Sequence, residues 1–121
     1  MGNATQTGLQ NSTVFAFNNL TTTAQLVAPV NPNRTKISFS NPGLLAAPAD
    51  VVVFPVAAYA GLPQPGGNSV ALTPTTLLLG GGFRVFASGG IVTITGQAAK
   101  QAWQALALSG SGNPLTVMEE T

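Results

Sequence analysis

The sequence contains no cysteine and no histidine, and only 6% of its 121 residues are charged. Without cysteine there are neither disulfides nor thiolate ligands, which excludes a small disulfide-stapled scaffold. Without histidine the usual general base near neutral pH, the commonest metal ligand and the middle of a Ser-His-Asp triad are all missing. Four basic residues (Arg34, Lys36, Arg84, Lys100) stand against three acidic ones (Asp50, Glu119, Glu120), for a net charge of +1. That is too little to neutralise a run of phosphates or to hold a polybasic segment on a membrane. Neither nucleic acid nor membrane is an expected partner. A soluble domain normally carries about a quarter charged residues. A surface this poor in charge should associate readily, which points to work inside an assembly.

Long apolar runs are also lacking. The most apolar window, 44–60, is interrupted by Pro48, Asp50 and Pro55 and is too short and broken for a spanning helix. The opening Met1-Gly2-Asn3-Ala4-Thr5 has neither the basic nor the apolar region of a secretory signal. A soluble chain is expected.

The few groups that could do chemistry are badly distributed for it. Asp50 stands alone between apolar groups, and Glu119 and Glu120 are adjacent, so on a strand they point to opposite faces. A paired-carboxylate site would have to join Asp50 to one of them. A zinc site lacks ligands, and a calcium cage would need backbone carbonyls for most of its oxygens. Lys100 in a Ser-Lys dyad competes with the simpler reading of a solvated lysine. Gly80-Gly81-Gly82 and Gly89-Gly90 lack the lysine and hydroxyl residue that a phosphate loop requires, and read better as turn or bulge glycines. No enzymatic activity, cofactor or metal is expected.

What is abundant is punctuation: 14 Gly and 9 Pro break the apolar residues into short groups. Thr23 to Val27 is strand-like and ends before the turn Asn31-Pro32-Asn33. Thr35-Lys36-Ile37-Ser38-Phe39-Ser40 alternates, with Ile37 and Phe39 on one face. Val51-Val52-Val53-Phe54 is a continuous run, expected to be covered on both faces and ended by Pro55. Further strands are expected at 69–73 and 76–79. Phe83 to Phe86 and Ile91 to Thr95 are expected to form a hairpin across 87–90. Residues 98–108 combine helix-forming residue types with strand-like alternation, Trp103, Ala105 and Ala107 against Gln104, Leu106 and Leu108. A strand is preferred there, because its neighbours are strands. Leu115 to Met118 makes the last strand, after a turn at 110–114.

Short strands with turn signals every 8–12 residues predict an all-β fold, an antiparallel β-sandwich or jelly roll with an extended N-terminal arm. One domain, 23–121, follows a polar lead-in, 1–22, which is either an arm docking across a neighbour or a first strand. Phe15 and Phe17 share one face of that segment if it is extended.

The run Ala24-Gln25-Leu26-Val27-Ala28-Pro29-Val30-Asn31-Pro32-Asn33-Arg34, followed by an alternating strand, resembles the opening of many small phage virion proteins. Gly96 to Ala105 together with Gly112-Asn113-Pro114-Leu115-Thr116-Val117-Met118 resembles the end of the capsid decoration, or cement, proteins of tailed bacteriophages. The two stretches cover roughly a third of the chain. The resemblance implies a structural virion protein on the outer capsid surface, assembled in the host cytoplasm. It would bind the major capsid protein and its own copies as a dimer or trimer, stabilising joints between capsid subunits. Expected contacts are Phe15, Phe17 and the C-terminal Leu115, Val117, Met118, Glu119 and Glu120, with Arg34 and Lys36 as polar rim contacts. The alternative is a small host-recognition module of a fibre or spike that binds glycan, with Trp103 and Tyr59 as a stacking platform. Against that platform stands the reading of Trp103 as a core or interface residue.

Overall fold

The computed structural model describes residues 12–43, 48–56 and 82–121. The strands expected at 69–73 and 76–79, together with Tyr59, Gly80 and Gly81, lie outside the described residues.

The described residues form eight strands: β1 (Ser12–Leu20), β2 (Gln25–Ala28), β3 (Lys36–Ser40), β4 (Val51–Pro55), β5 (Phe83–Val85), β6 (Ile91–Thr95), β7 (Trp103–Ala107) and β8 (Asn113–Glu120). A 3-10 turn, Gly96–Lys100, joins β6 to β7. The strands lie in two four-stranded sheets, ordered β1-β8-β3-β6 and β2-β7-β4-β5, and every neighbouring pair is antiparallel. β1 pairs with β8, β2 with β7, β3 with β6 and β4 with β5. This is the pattern of one long hairpin, strands 1–4 laid against strands 8–5, rolled into a sandwich. The fold is a jelly roll.

The alternation read from the sequence sets the core. Ile37 and Phe39 of β3, Leu115 and Val117 of β8, Val51 and Val53 of β4, and Trp103, Ala105 and Ala107 of β7 all point between the sheets and are buried. The Phe39 and Trp103 rings sit 5.5 Å apart at a tilt of 51°, a favourable aromatic arrangement. Each large side chain buried here contributes roughly 1.5–3 kcal/mol. β4 is apolar on its outer side as well. Val52 and Phe54 are buried there with Leu106 of β7, against Ala24 and Leu108. The continuous valine run is thus covered on both faces, as its lack of alternation predicts, and Pro55 ends the strand.

Two local expectations need correction. β5 and β6 do not form a hairpin: β5 pairs with β4 in one sheet and β6 with β3 in the other. The turn between them is tight, with the Gly90 N–H donating to the Phe86 carbonyl at 2.8 Å. However, Phe83 and Val85 pair with Val53 and Val51, so the chain turns a corner of the sandwich instead of doubling back in one sheet. Residues 98–100 belong to the 3-10 turn, and only 103–107 are strand. Gly96 opens that turn at φ +75°, a conformation that costs glycine nothing. Of the two readings left open for the lead-in, residues 12–20 follow the first-strand one, pairing along β8.

Candidate functional site

The buried end of β8 holds the most elaborate polar arrangement among the described residues. Arg34 follows the Asn31-Pro32-Asn33 turn, in which the Asn31 side-chain oxygen accepts from the Asn33 N–H at 3.0 Å and its carbonyl from the Arg34 N–H at 3.1 Å. The turn aims the guanidinium inward, where the residue is 0% exposed. Its Nε donates to Glu119 Oε2 at 2.6 Å, and Nη2 is ion-paired with the same oxygen. Nη1 donates to the carbonyls of Ala99 (2.7 Å) and Gln101 (3.0 Å), and Nη2 to that of Pro29 (2.7 Å). All five N–H donors of the guanidinium are therefore satisfied. Lys100 closes the arrangement by donating to the Arg34 carbonyl at 2.8 Å. One side chain ties the approach to β3, the end of the 3-10 turn and β8.

The remaining charges are also engaged within the subunit. Asp50 accepts from the Ala87 N–H at 2.8 Å and from Arg84 Nε at 2.7 Å. Burial raises the Asp50 pKa, but the Ala87 N–H and the Arg84 guanidinium together outweigh it and hold the carboxyl below the usual range. Lys36 reaches Glu120 at 3.4 Å across neighbouring strands. Each of the three carboxylates in the chain thus already has a cationic partner. Among the described residues no group of three or more His, Cys, Asp or Glu could hold a metal ion.

Two asparagines stitch corners. Asn41, fully buried, donates to the carbonyls of Ala49 (3.0 Å) and Val85 (3.2 Å) and accepts from the Gly43 N–H. Asn113 donates to the carbonyls of Leu20 and Ser109.

The register of the first sheet defines its outer face. Val14, Met118, Ser38 and Thr93 lie in one row across the four strands; Ser12, Glu120, Lys36 and Thr95 form the row beside it, and Ala16, Thr116, Ser40 and Ile91 the row on the other side. Apart from the Lys36–Glu120 pair this face carries small, hydroxyl and apolar groups. Val14 (60% exposed), Met118 (40%) and Ile91 (67%) stand out from it.

These positions sort the contacts expected from the sequence. Met118, Lys36 and Glu120 are on the outer face. Phe15 and Phe17 do share a face, but it is the inner one, in register with Val117 and Leu115. Phe17 packs against the core, while Phe15 is 40% exposed. With Leu26, Val27, Ala28 and Pro29 they line an apolar groove between the edge strands β1 and β2. Arg34, Leu115, Val117 and Glu119 are buried in the subunit. Arg34 and Glu119 are a structural pair instead of surface contacts, because each neutralises the other. Leu115 and Val117 are core residues, because β8 is an interior strand whose inner face meets the second sheet. A glycan platform through Trp103 fails for a similar reason. Its ring is 1% exposed, and its Nε1–H donates to the Ala98 carbonyl at 3.1 Å. The exposed Val14, Leu26, Phe83, Phe86 and Ile91 were not among the expected contacts. Their only sequence signal is position on short strands, which does not separate edge from interior.

Comparison with protein-family models and with curated proteins finds no match. A solved structure described as Bacillus endospore appendages, a family of disulfide-linked pili, is 11% identical over 93% of this chain and 85% of that chain, with a TM-score of 0.49. Likeness at that level says nothing about what this chain does.

Proposed function

We propose that this chain is a structural subunit that acts by association, coating the outer surface of a tailed-phage capsid and bridging neighbouring major capsid subunits. The observation that carries the reading is the disposition of charge. All three carboxylates are held by cations of the same subunit, and Lys100 is turned onto the Arg34 carbonyl. Apart from the partly exposed Lys36–Glu120 and Arg84–Asp50 pairs, the described surface is left to apolar, hydroxyl and amide groups, so a partner covering it strips no unpaired carboxylate of water. The segments on which the phage resemblance rests also meet physically: Arg34 of the first bonds to Ala99, Gln101 and Glu119 in or beside the second.

The mechanism is additive contact. A specific interface buries about 1,600 Å2 in total, and repetition over a closed shell multiplies a modest affinity. Density for this sandwich in an electron cryo-microscopy map of the virion is the direct test. It should lie outside the shell at joints between capsid subunits, and particles lacking the protein should break open at lower temperature. Density at a fibre tip, with shell stability unchanged and adsorption to cells lost, would overturn the reading.

A further inference from the structure

Outward-facing backbone hydrogen-bonding groups lie at sheet edges, and folded proteins guard these with short strands, proline or charge. In this sandwich the two sheets are guarded very differently. In β2-β7-β4-β5 both edges are protected. β2 spans four residues and runs into Pro29, and β5 spans three and carries Arg84, ion-paired to Asp50. In β1-β8-β3-β6, among the described residues, neither edge is. β1 extends over nine residues and β6 over five, and neither holds a proline, a glycine or a charged residue.

We infer that β1 of one copy pairs with β6 of the next, so that this sheet continues from subunit to subunit. Strand direction favours it. β1, β8, β3 and β6 alternate in direction, so a copy displaced along the sheet presents β6 antiparallel to β1. Side-chain chemistry favours it too. The half-exposed Phe15 of β1 would face the half-buried Val92 of β6 directly, with Ile94 its diagonal neighbour, aromatic against β-branched, on the inner face. On the outer face the row that starts at Val14 ends at Thr93, so the next copy's Thr93 comes level with Val14. A twofold pairing of β1 with its own copy would cover one open edge and leave β6 bare, whereas this single contact covers both. The contact is heterologous, and therefore builds rings or open filaments instead of closed pairs. It names how an associating subunit meets its own copies, and so rests on the associative reading above.

These 121 residues include no cysteine, so engineered thiols report the junction cleanly. Val14→Cys and Thr93→Cys chains, mixed in equal amounts and oxidised, should link mainly to each other, and the double variant should give a ladder of oligomers. Ala16→Lys, at an exposed position of β1, should bring the assembly down to monomer while circular dichroism shows the β fold retained. Val14→Cys linking only to itself, with association retained, would overturn the β1–β6 junction and leave the associative reading standing. A wild-type chain that stays monomeric would overturn both.

Discussion

Replacing Glu119 by glutamine removes the charge opposite Arg34 while keeping the shape of the side chain. The guanidinium is 0% exposed and directs two of its five donors to Glu119 Oε2, so the substitution strands a cation in the interior. Breaking a buried pair by removing one partner costs roughly 3–5 kcal/mol. The glutamine carbonyl can still accept one hydrogen bond, which places the expected loss near the lower bound, about 3 kcal/mol. For a domain of this length that corresponds to a fall in Tm of roughly 10–15 °C. Arg34→Met should cost more, because the carbonyls of Ala99, Gln101 and Pro29 lose their donors along with the carboxylate. Removing both charges with Arg34→Met and Glu119→Leu together should be less damaging than the sum of the single changes. Urea titrations followed by Trp103 fluorescence and by circular dichroism supply the free energies. The internal control is Glu120→Gln, whose partner Lys36 lies 3.4 Å away on the outer face; a screened surface pair is worth about 0–1 kcal/mol. Equal, small losses for Glu119→Gln and Glu120→Gln would refute the assignment of Arg34 as the pin between the turn, the 3-10 segment and β8.

The Asp50 carboxyl sits below the usual range when folded, so its ionised form stabilises the fold above about pH 4 and that contribution is lost as pH falls through the depressed folded value. Urea midpoints at neutral and acid pH should show Asp50→Asn less stable than wild type near neutrality and the difference shrinking on acidification; a difference that grows would reverse the sign. Gly43 has φ +62° and an added Cβ would overlap the Ala87 carbonyl, whereas Gly89 has φ +88° with open space around it. Gly89→Ala should therefore cost only the roughly 1–2 kcal/mol of a left-handed L-residue, and Gly43→Ala distinctly more, as read from thermal melts. Leu106→Ala, in the outer cluster with Val52 and Phe54, should lose about 2–5 kcal/mol, while Leu26→Ala, 53% exposed, should leave the urea midpoint nearly unchanged.

Patterns within a few residues were legible in the sequence. Alternation at Ile37 and Phe39, the unbroken run Val51 to Phe54, and the Trp103-Ala105-Ala107 face each reflect a strand's period of two, and each face lands where the pattern places it. What the sequence hid depends on distant partners. Arg34 reads as a surface cation because arginine is rarely buried unpaired, and the glutamate that pairs with it is 85 residues away. The turn at 87–90 announces a reversal of direction, but whether the next strand stays in the sheet or crosses depends on β3 and β4, which claim β6 and β5. Phe15 and Phe17 were recognised as sharing a face, yet which face is inner follows only from their register with β8.

Sedimentation velocity of the purified chain over a wide concentration range, at low and high salt, bears most directly on the claim that this surface exists to associate. Contacts made by apolar groups and backbone hydrogen bonds, with the charges already paired inside each subunit, predict species larger than a dimer that grow with concentration and persist as salt rises. A single monomer boundary at every concentration, or an assembly that dissolves in salt, would contradict it.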